Sequence, residues 1–183
     1  MKELRQQLSG DHPELLEVYR LAVEGCPAKL YTSQQRLAWA RQAGTRDGTV
    51  PPTPQLLGSL QRGRGLVCCD DDGRIAGFAI REPMDRLALL YCRPDRQGRG
   101  HGRALITAME QQAQSEGVLR LTTEASLVSQ PLLERLGWRR SWQEELMING
   151  ALFRRFRLYK PLDPILSAWP KPSSSSSSTR SVS

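Results

Sequence analysis

The stretch Leu87–Ala113, LALLYCRPDRQGRGHGRALITAMEQQA, constrains the fold more tightly than any other part of the chain. It opens with the apolar run Leu87–Cys92, which has the length of a buried strand. Pro94 stops that strand, because proline has no N–H to give to a ladder. Gln97-Gly98-Arg99-Gly100-His101-Gly102 follows, and then Leu105, Ala108, Met109 and Ala113 fall at helical spacing. A strand therefore runs through a glycine-rich turn into a helix. Glycines let the backbone approach a ligand closely, and the N–H groups of a helix's first turn point at it with the positive end of the dipole. Arg93, Arg96, Arg99 and Arg103 surround the turn, with only Asp95 opposing them. A pyrophosphate suits such a turn. The P-loop pattern fails, since no Lys-Ser or Lys-Thr follows the glycines, and so does the dinucleotide pattern, since the spacing is Gly98-x-Gly100-x-Gly102.

The rest of the chain reads as short elements around this unit. Residues 2–8 are expected to form a first strand. Asp11 and Glu14 have the spacing of a capping box, opening a helix with Leu15, Val18, Tyr19 and Ala22 on one face that ends at Gly25 and Pro27. Thr32 and Gln35 offer a second box, before a helix closed by Gly44. Residues 44–54 are a loop by composition, and Gln55–Leu60 a short helical piece. Leu66–Cys69 and Ile75–Arg81 pair across the tight turn Asp71-Asp72-Gly73. After the central helix, Val118–Thr123 is a strand and Gln130–Leu136 a short helix. Trp138–Met147 and Leu152–Lys160 flank Asn149-Gly150, a strong hairpin signal. Hairpins at both ends and one strand–helix–strand unit in the middle imply an α/β (α+β) domain on a mixed, mostly antiparallel sheet of about seven strands, flanked by helices.

One domain over residues 1–162 is expected, followed by a Pro/Ser-rich tail, 163–183. Its serine run Ser173–Ser178 cannot pack, so disorder is the expectation there. No run approaches the roughly 20 apolar residues of a membrane span. The polar start MKELRQQLSG has no signal-peptide core, so the expected address is cytoplasmic, with no membrane partner. A net charge of +7 raises the question of nucleic acid, with Arg139, Arg140, Arg154, Arg155 and Arg157 as the patch. Strand alternation puts Arg155 on the opposite face from Arg154, and no zinc spacing or recognition helix is present, so no nucleic-acid partner is expected. Cys26, Cys68, Cys69 and Cys92 have neither metal-ligand nor disulfide-framework spacing. With His12 and His101 as the only histidines, no metal is expected.

Gln97, Gly100 and Gly102 form Gln-x-x-Gly-x-Gly, which resembles the acetyl-CoA pyrophosphate loop of the GCN5-related N-acetyltransferases (GNAT). Three more segments, over about residues 65–160, resemble that family: Ile75-Ala76-Gly77-Phe78, Leu90-Tyr91-Cys92-Arg93-Pro94, and Glu134-Arg135-Leu136-Gly137-Trp138. Thr123-Glu124-Ala125-Ser126 and the Asn149-Gly150 hairpin are similar to a bacterial YafP-type subgroup. The resemblance implies an acetyl-CoA-dependent N-acetyltransferase in which a primary amine attacks the thioester directly. It implies that the backbone of Leu90, Tyr91 and Cys92 holds the pantetheine arm, and that one of the N–H groups at Leu90 and Cys92 polarises the carbonyl. Gln97, Gly98, Arg99, Gly100, His101, Gly102 and Arg103 would cradle the pyrophosphate. Ser126 stands where the family often has an asparagine that contacts the cofactor.

The proton chemistry departs from the family. The usual tyrosine before Glu-Arg-x-Gly is Leu133, which cannot donate a proton. Either the CoA thiolate leaves without help, or Tyr91, Ser126 or water serves as the acid. Glu124, at the end of the strand after the central helix, is the first candidate for general base, tuned upward by partial burial, and Glu82 the second. The acceptor is a small-molecule or peptide amine, with a homodimer left open. Acidic residues for a polycationic acceptor are limited to Glu82, Asp85, Glu124, Glu144 and Glu145, and the net charge leans towards neutral or anionic acceptors, or small amino compounds. Leu133 also supports a competing reading, a non-catalytic acyl-CoA-binding or regulatory domain.

Overall fold

The computed structural model describes residues 3–162, so the expected tail lies outside the described residues. Seven strands form one sheet: β1 (Glu3–Gln6), β2 (Arg64–Cys69), β3 (Ile75–Arg81), β4 (Arg86–Cys92), β5 (Arg120–Ala125), β6 (Arg139–Ile148) and β7 (Ala151–Pro161). Their order is β1-β2-β3-β4-β5-β7-β6, and every pairing is antiparallel except β4 with β5. The helices are α1 (His12–Glu24), α2 (Ser33–Ala40), α3 (Pro54–Arg62), α4 (His101–Ser115) and α5 (Gln130–Arg135). The mixed, mostly antiparallel sheet with flanking helices is the one expected from the sequence.

Strand alternation divides the apolar residues between two layers. Leu66 and Cys68 of β2 and Ala79 of β3 join Leu105, Ile106, Met109 and Ala113 of α4, together with Leu133 and Trp138. Val67 and Cys69 of β2 and Phe78 and Ile80 of β3 face the other way, onto Leu15, Val18 and Tyr19 of α1 and Leu56 and Leu60 of α3. All seven positions of β3 are buried, as a central strand covered on both faces requires. Full burial of a side chain such as Leu105 or Leu15 stabilises the fold by about 1.5–3 kcal/mol.

A third, smaller cluster joins opposite ends of the sequence. Tyr31, Ala38, Ala151 and Phe153 pack together beneath the β6–β7 turn. That turn has positive φ at both Asn149 (46°) and Gly150 (81°), as a two-residue primed hairpin demands. The Asn149 Nδ2 donates to the Ala38 carbonyl at 2.7 Å, and Gln35 Nε2 to the Leu152 carbonyl at 2.7 Å. The hairpin is thus tied to α2 at both of its corners.

The two expected capping boxes fare differently. Thr32 and Gln35 exchange their bonds: the Gln35 N–H donates to Thr32 Oγ1 at 3.2 Å and the Thr32 N–H to Gln35 Oε1 at 2.8 Å. Asp11 and Glu14 do not form the box read from their spacing. Asp11 accepts instead from the Leu8 N–H and from both terminal nitrogens of Arg5, and Glu14 accepts from the Ile75 N–H at 2.9 Å. Long-range donors took both carboxylates. Replacing Thr32 by Ala removes the cap of α2 and should cost about 1 kcal/mol. A thermal melt should then fall by about 2–4 °C for a chain of this size.

Candidate active site

The central strand is where the sheet opens. Ala88 of β4 has no partner on β3: Leu89 pairs with Ile80, and Leu87 with Arg81. The extra residue is a bulge, which bends the strand and sharpens its twist. On the other side, β4 and β5 pair only at Arg86–Thr122 and Leu87–Thr123. Beyond Leu87 the two strands part.

Backbone groups face that gap in a definite order. The Arg93 N–H donates to the Ala76 carbonyl at 2.8 Å. In an antiparallel pair such bonds alternate, so Arg93 and Tyr91 turn towards β3 while Leu90 and Cys92 direct their N–H groups to the open side. These are the two positions to which the family resemblance assigns polarisation of the thioester carbonyl.

Two cavities lie at the gap, and Trp39, Tyr91 and Ser126 line both of them. The first, about 460 Å³, is walled by Leu90–Cys92, the Gln97–Arg103 turn and the α5 residues Leu132 and Arg135. Gly98 and Gly100 have φ of 75° and 78°, a left-handed conformation open to glycine at little cost. Gly100 is the N-cap of α4, so the first-turn N–H groups point into this cavity's turn. A methyl group at Gly102 would meet Leu132 Cδ2 at 3.1 Å, so the turn packs tightly against α5.

The arginines around the turn are less free than local sequence suggests. Arg93 is held by Asp95, and Arg96 by Asp70 at 3.0 Å and Asp72 at 3.5 Å. The β2–β3 turn therefore supplies two carboxylates, and Asp95 is not the sole counter-charge. Arg103 and Arg135 also line the cavity, and neither forms an ion pair among the described residues. His101 turns inward: it is 5% exposed, with Nδ1 3.1 Å from the Cys68 Sγ. Its backbone, rather than its ring, belongs to the turn. Burial pushes the Cys92 thiol up to about 12, so it stays protonated at neutral pH.

The second cavity, about 400 Å³, lies on the α2 and β6–β7 side. Tyr31, Trp39 and Phe153 give it an aromatic wall, with rings 5.4–5.8 Å apart. Trp39 and Tyr31 both line this cavity and pack against each other. Tyr91 packs tilted against Tyr19, ring centres 4.4 Å apart, and burial pushes its hydroxyl well above the usual tyrosine range. Ser126 closes the end of β5, where its Oγ accepts from the N–H groups of Val128 and Ser129.

Glu124 lines this second cavity, but not as a lone carboxylate. Arg86 donates to Oε2 at 2.9 Å, and Arg157 makes a short contact with Oε1. Both oxygens are occupied by guanidinium groups, which the expectation of a base tuned by partial burial did not include. The competing candidate Glu82 pairs with Arg62 at 3.4 Å and does not line the cavity. Leu133 is buried in the core beneath α5, and its neighbour Leu132 faces the first cavity. Arg86, Leu132, Arg135 and Phe153 escaped the sequence reading. Only Arg135 stood within a quoted motif.

The sequence profile of the acetyltransferase (GNAT) domain matches residues 54–160, more than half of the chain. The chain belongs to the GCN5-related N-acetyltransferase (GNAT) superfamily. It is 37% identical over 98 residues to mycothiol acetyltransferase of Thermomonospora curvata, a match covering 51% of this chain but only 32% of that protein. The uncharacterised N-acetyltransferase YafP of Escherichia coli is 27% identical over 160 residues, covering 87% of this chain and 96% of YafP. Among solved structures, a GCN5-related N-acetyltransferase from Rhodopseudomonas palustris superposes with a TM-score of 0.78 at 26% identity, covering 88% of this chain and 96% of the other. No helix among the described residues is long and apolar enough to cross a membrane.

One carboxylate beside the second cavity gives this GNAT domain a pH signature. Burial pushes the Glu144 carboxyl up, but hydrogen bonds from Arg155 and Arg157 outweigh it and hold the group below its ordinary 4.5. The unfolded chain takes up that proton near the ordinary value and the folded chain only at lower pH. The stability from Glu144 is therefore present above pH 4.5 and lost as pH falls below it. Thermal melts across acid pH should show a shallower fall for Glu144→Gln than for the unaltered protein.

Proposed function

We propose that this chain transfers the acetyl group of acetyl-CoA to a primary amine by direct attack within a ternary complex. The observation that carries this reading is the parted β4–β5 edge, with two N–H groups aimed into it and one cavity on either side. The first cavity suits the cofactor. The Gln97–Arg103 turn and the α4 N-terminus would hold its pyrophosphate, with Arg103 and Arg135 adding positive charge. The pantetheine arm would then lie along Leu90–Cys92, bringing the thioester to the junction lined by Trp39, Tyr91 and Ser126.

The amine would enter from the second cavity. Its nitrogen attacks the thioester carbonyl carbon, a C–N bond forms, the C–S bond breaks and the electron pair leaves on sulfur. Holding both reactants at the junction removes much of the entropic barrier. An N–H of Leu90 or Cys92 meeting the developing oxyanion supplies about 3–4 kcal/mol of stabilisation. The nitrogen must shed one proton, and the thiolate must gain one. Tyr91 lines both cavities and so stands at the junction, and its hydroxyl is the acid assigned to the thiolate. The double guanidinium clamp on Glu124 suits an amine that arrives neutral better than one this carboxylate must deprotonate.

A CoA-binding domain without turnover is the second reading, favoured by the burial of Leu133 where the family's usual tyrosine would stand. Both readings require cofactor binding. Acetyl-CoA at 100 times its dissociation constant should stabilise the protein by about 2.7 kcal/mol. Gly100→Glu, which sets a carboxylate and a strained backbone at the pyrophosphate turn, should abolish that shift, and a wild-type melt unmoved by acetyl-CoA would refute both readings. Turnover separates them. Thiol release with an amine panel should be measurable in the unaltered chain, and Tyr91→Phe should lower kcat by about 100-fold with little change in KM for acetyl-CoA.

A further inference from the structure

We propose that the accepted amine carries an anionic group of its own, and that the class is small amino carboxylates with an apolar side chain, such as apolar α-amino acids. This rests on the acetyl-transfer reading and names the acceptor for it.

Charge makes the first argument. Arg86, Arg154 and Arg155 line the second cavity, opposed among its lining residues by Glu124 alone. The charges just outside the wall do not close the difference. Arg157 shares Glu124 with Arg86 and shares Glu144 Oε1 with Arg155. Arg154 reaches Glu145 only at 3.9 Å, between side chains 54% and 52% exposed. With the Arg62–Glu82 pair, whose carboxylate meets the lining Ser59, five guanidiniums meet four carboxylates, and one positive charge is left over. A polyamine entering here would meet like charge. A carboxylate would complete the pairing, and guanidinium groups bind carboxylates with paired, charge-assisted hydrogen bonds.

Shape makes the second argument. Phe153 and Arg155 are two residues apart on β7 and so share one face, about 7 Å apart along the strand. Half-buried Trp39, backed by the buried rings of Tyr31 and Phe153, therefore offers an aromatic surface on the same side of the sheet as Arg155. An apolar side chain and a carboxylate on one small molecule suit that surface and that guanidinium. A cavity of about 400 Å³ holds such a molecule beside the junction with the cofactor cavity. One uncompensated charge matches a monoanion, which favours a carboxylate over a phosphate.

Calorimetry on the full chain saturated with CoA tests this with product-like probes: N-acetyl-L-phenylalanine, its amide, its phosphonate analogue, and N-acetylspermidine. The acid should bind at least tenfold more tightly than the amide. Arg155→Gln leaves the charges balanced, and should bring the acid-to-amide ratio below threefold, with CoA affinity and melting temperature as controls on folding. Equal binding of acid and amide, binding of neither, or an unchanged ratio in Arg155→Gln would overturn the proposal, as would tighter binding of N-acetylspermidine. A phosphonate that outbinds the acid would overturn the choice of carboxylate. Failure to bind CoA at all refutes acetyl transfer and this acceptor together, whereas CoA binding without preference for the acid refutes the acceptor alone.

Discussion

Strands β4 and β5 meet at Arg86–Thr122 and Leu87–Thr123 and nowhere further along β4. A strand edge left open inside a sheet is costly, because its N–H and C=O groups lack the partners that buried backbone needs. Here the cost falls where it is useful. The bulge at Ala88 turns β4 away, the edge stays open at Leu90 and Cys92, and two cavities form against it. Antiparallel pairing on every other boundary of the sheet keeps this single gap from spreading. Both faces of β2 and β3 are covered, so the strands that support β4 cannot shift to close it.

Charge in the second cavity is organised as a chain rather than as pairs. Arg86, Glu124, Arg157, Glu144 and Arg155 are linked in succession across β4, β5, β7 and β6. Members of such a network hold one another in place, so its geometry is set more firmly than that of an exposed ion pair. It also gives Glu124 a positional task. A carboxylate gripped from both sides fixes Arg86 at the cavity wall and Arg157 just outside it.

Short-range patterns in the sequence were legible because their physics is local. The strand–glycine–helix unit follows from proline, glycine and apolar spacing within 27 residues, and the Asn149-Gly150 turn from the rarity of positive φ. The Thr32–Gln35 box follows from two side chains three residues apart. What stayed hidden depends on partners far along the chain. Glu14 forsakes its box for an N–H 61 residues away, Arg96 finds Asp70 26 residues away, and Glu124 finds Arg86 and Arg157 at separations of 38 and 33. Each of those side chains can satisfy itself locally or at long range. Only the assembled sheet decides which.

The bonds that tie the β6–β7 hairpin to α2 join residues 111 and 117 positions apart. Closing loops of that length carries a large entropic toll before any contact repays it, and such contacts slow folding. The strand, turn and helix of Leu87–Ala113 demand no comparable closure. Assembly therefore favours a sequence of events in which the middle of the chain is organised first, and the ends arrive last to shape the aromatic wall. In a nascent or partly unfolded form of this protein, the aromatic wall of the second cavity would be the last part of the site to exist.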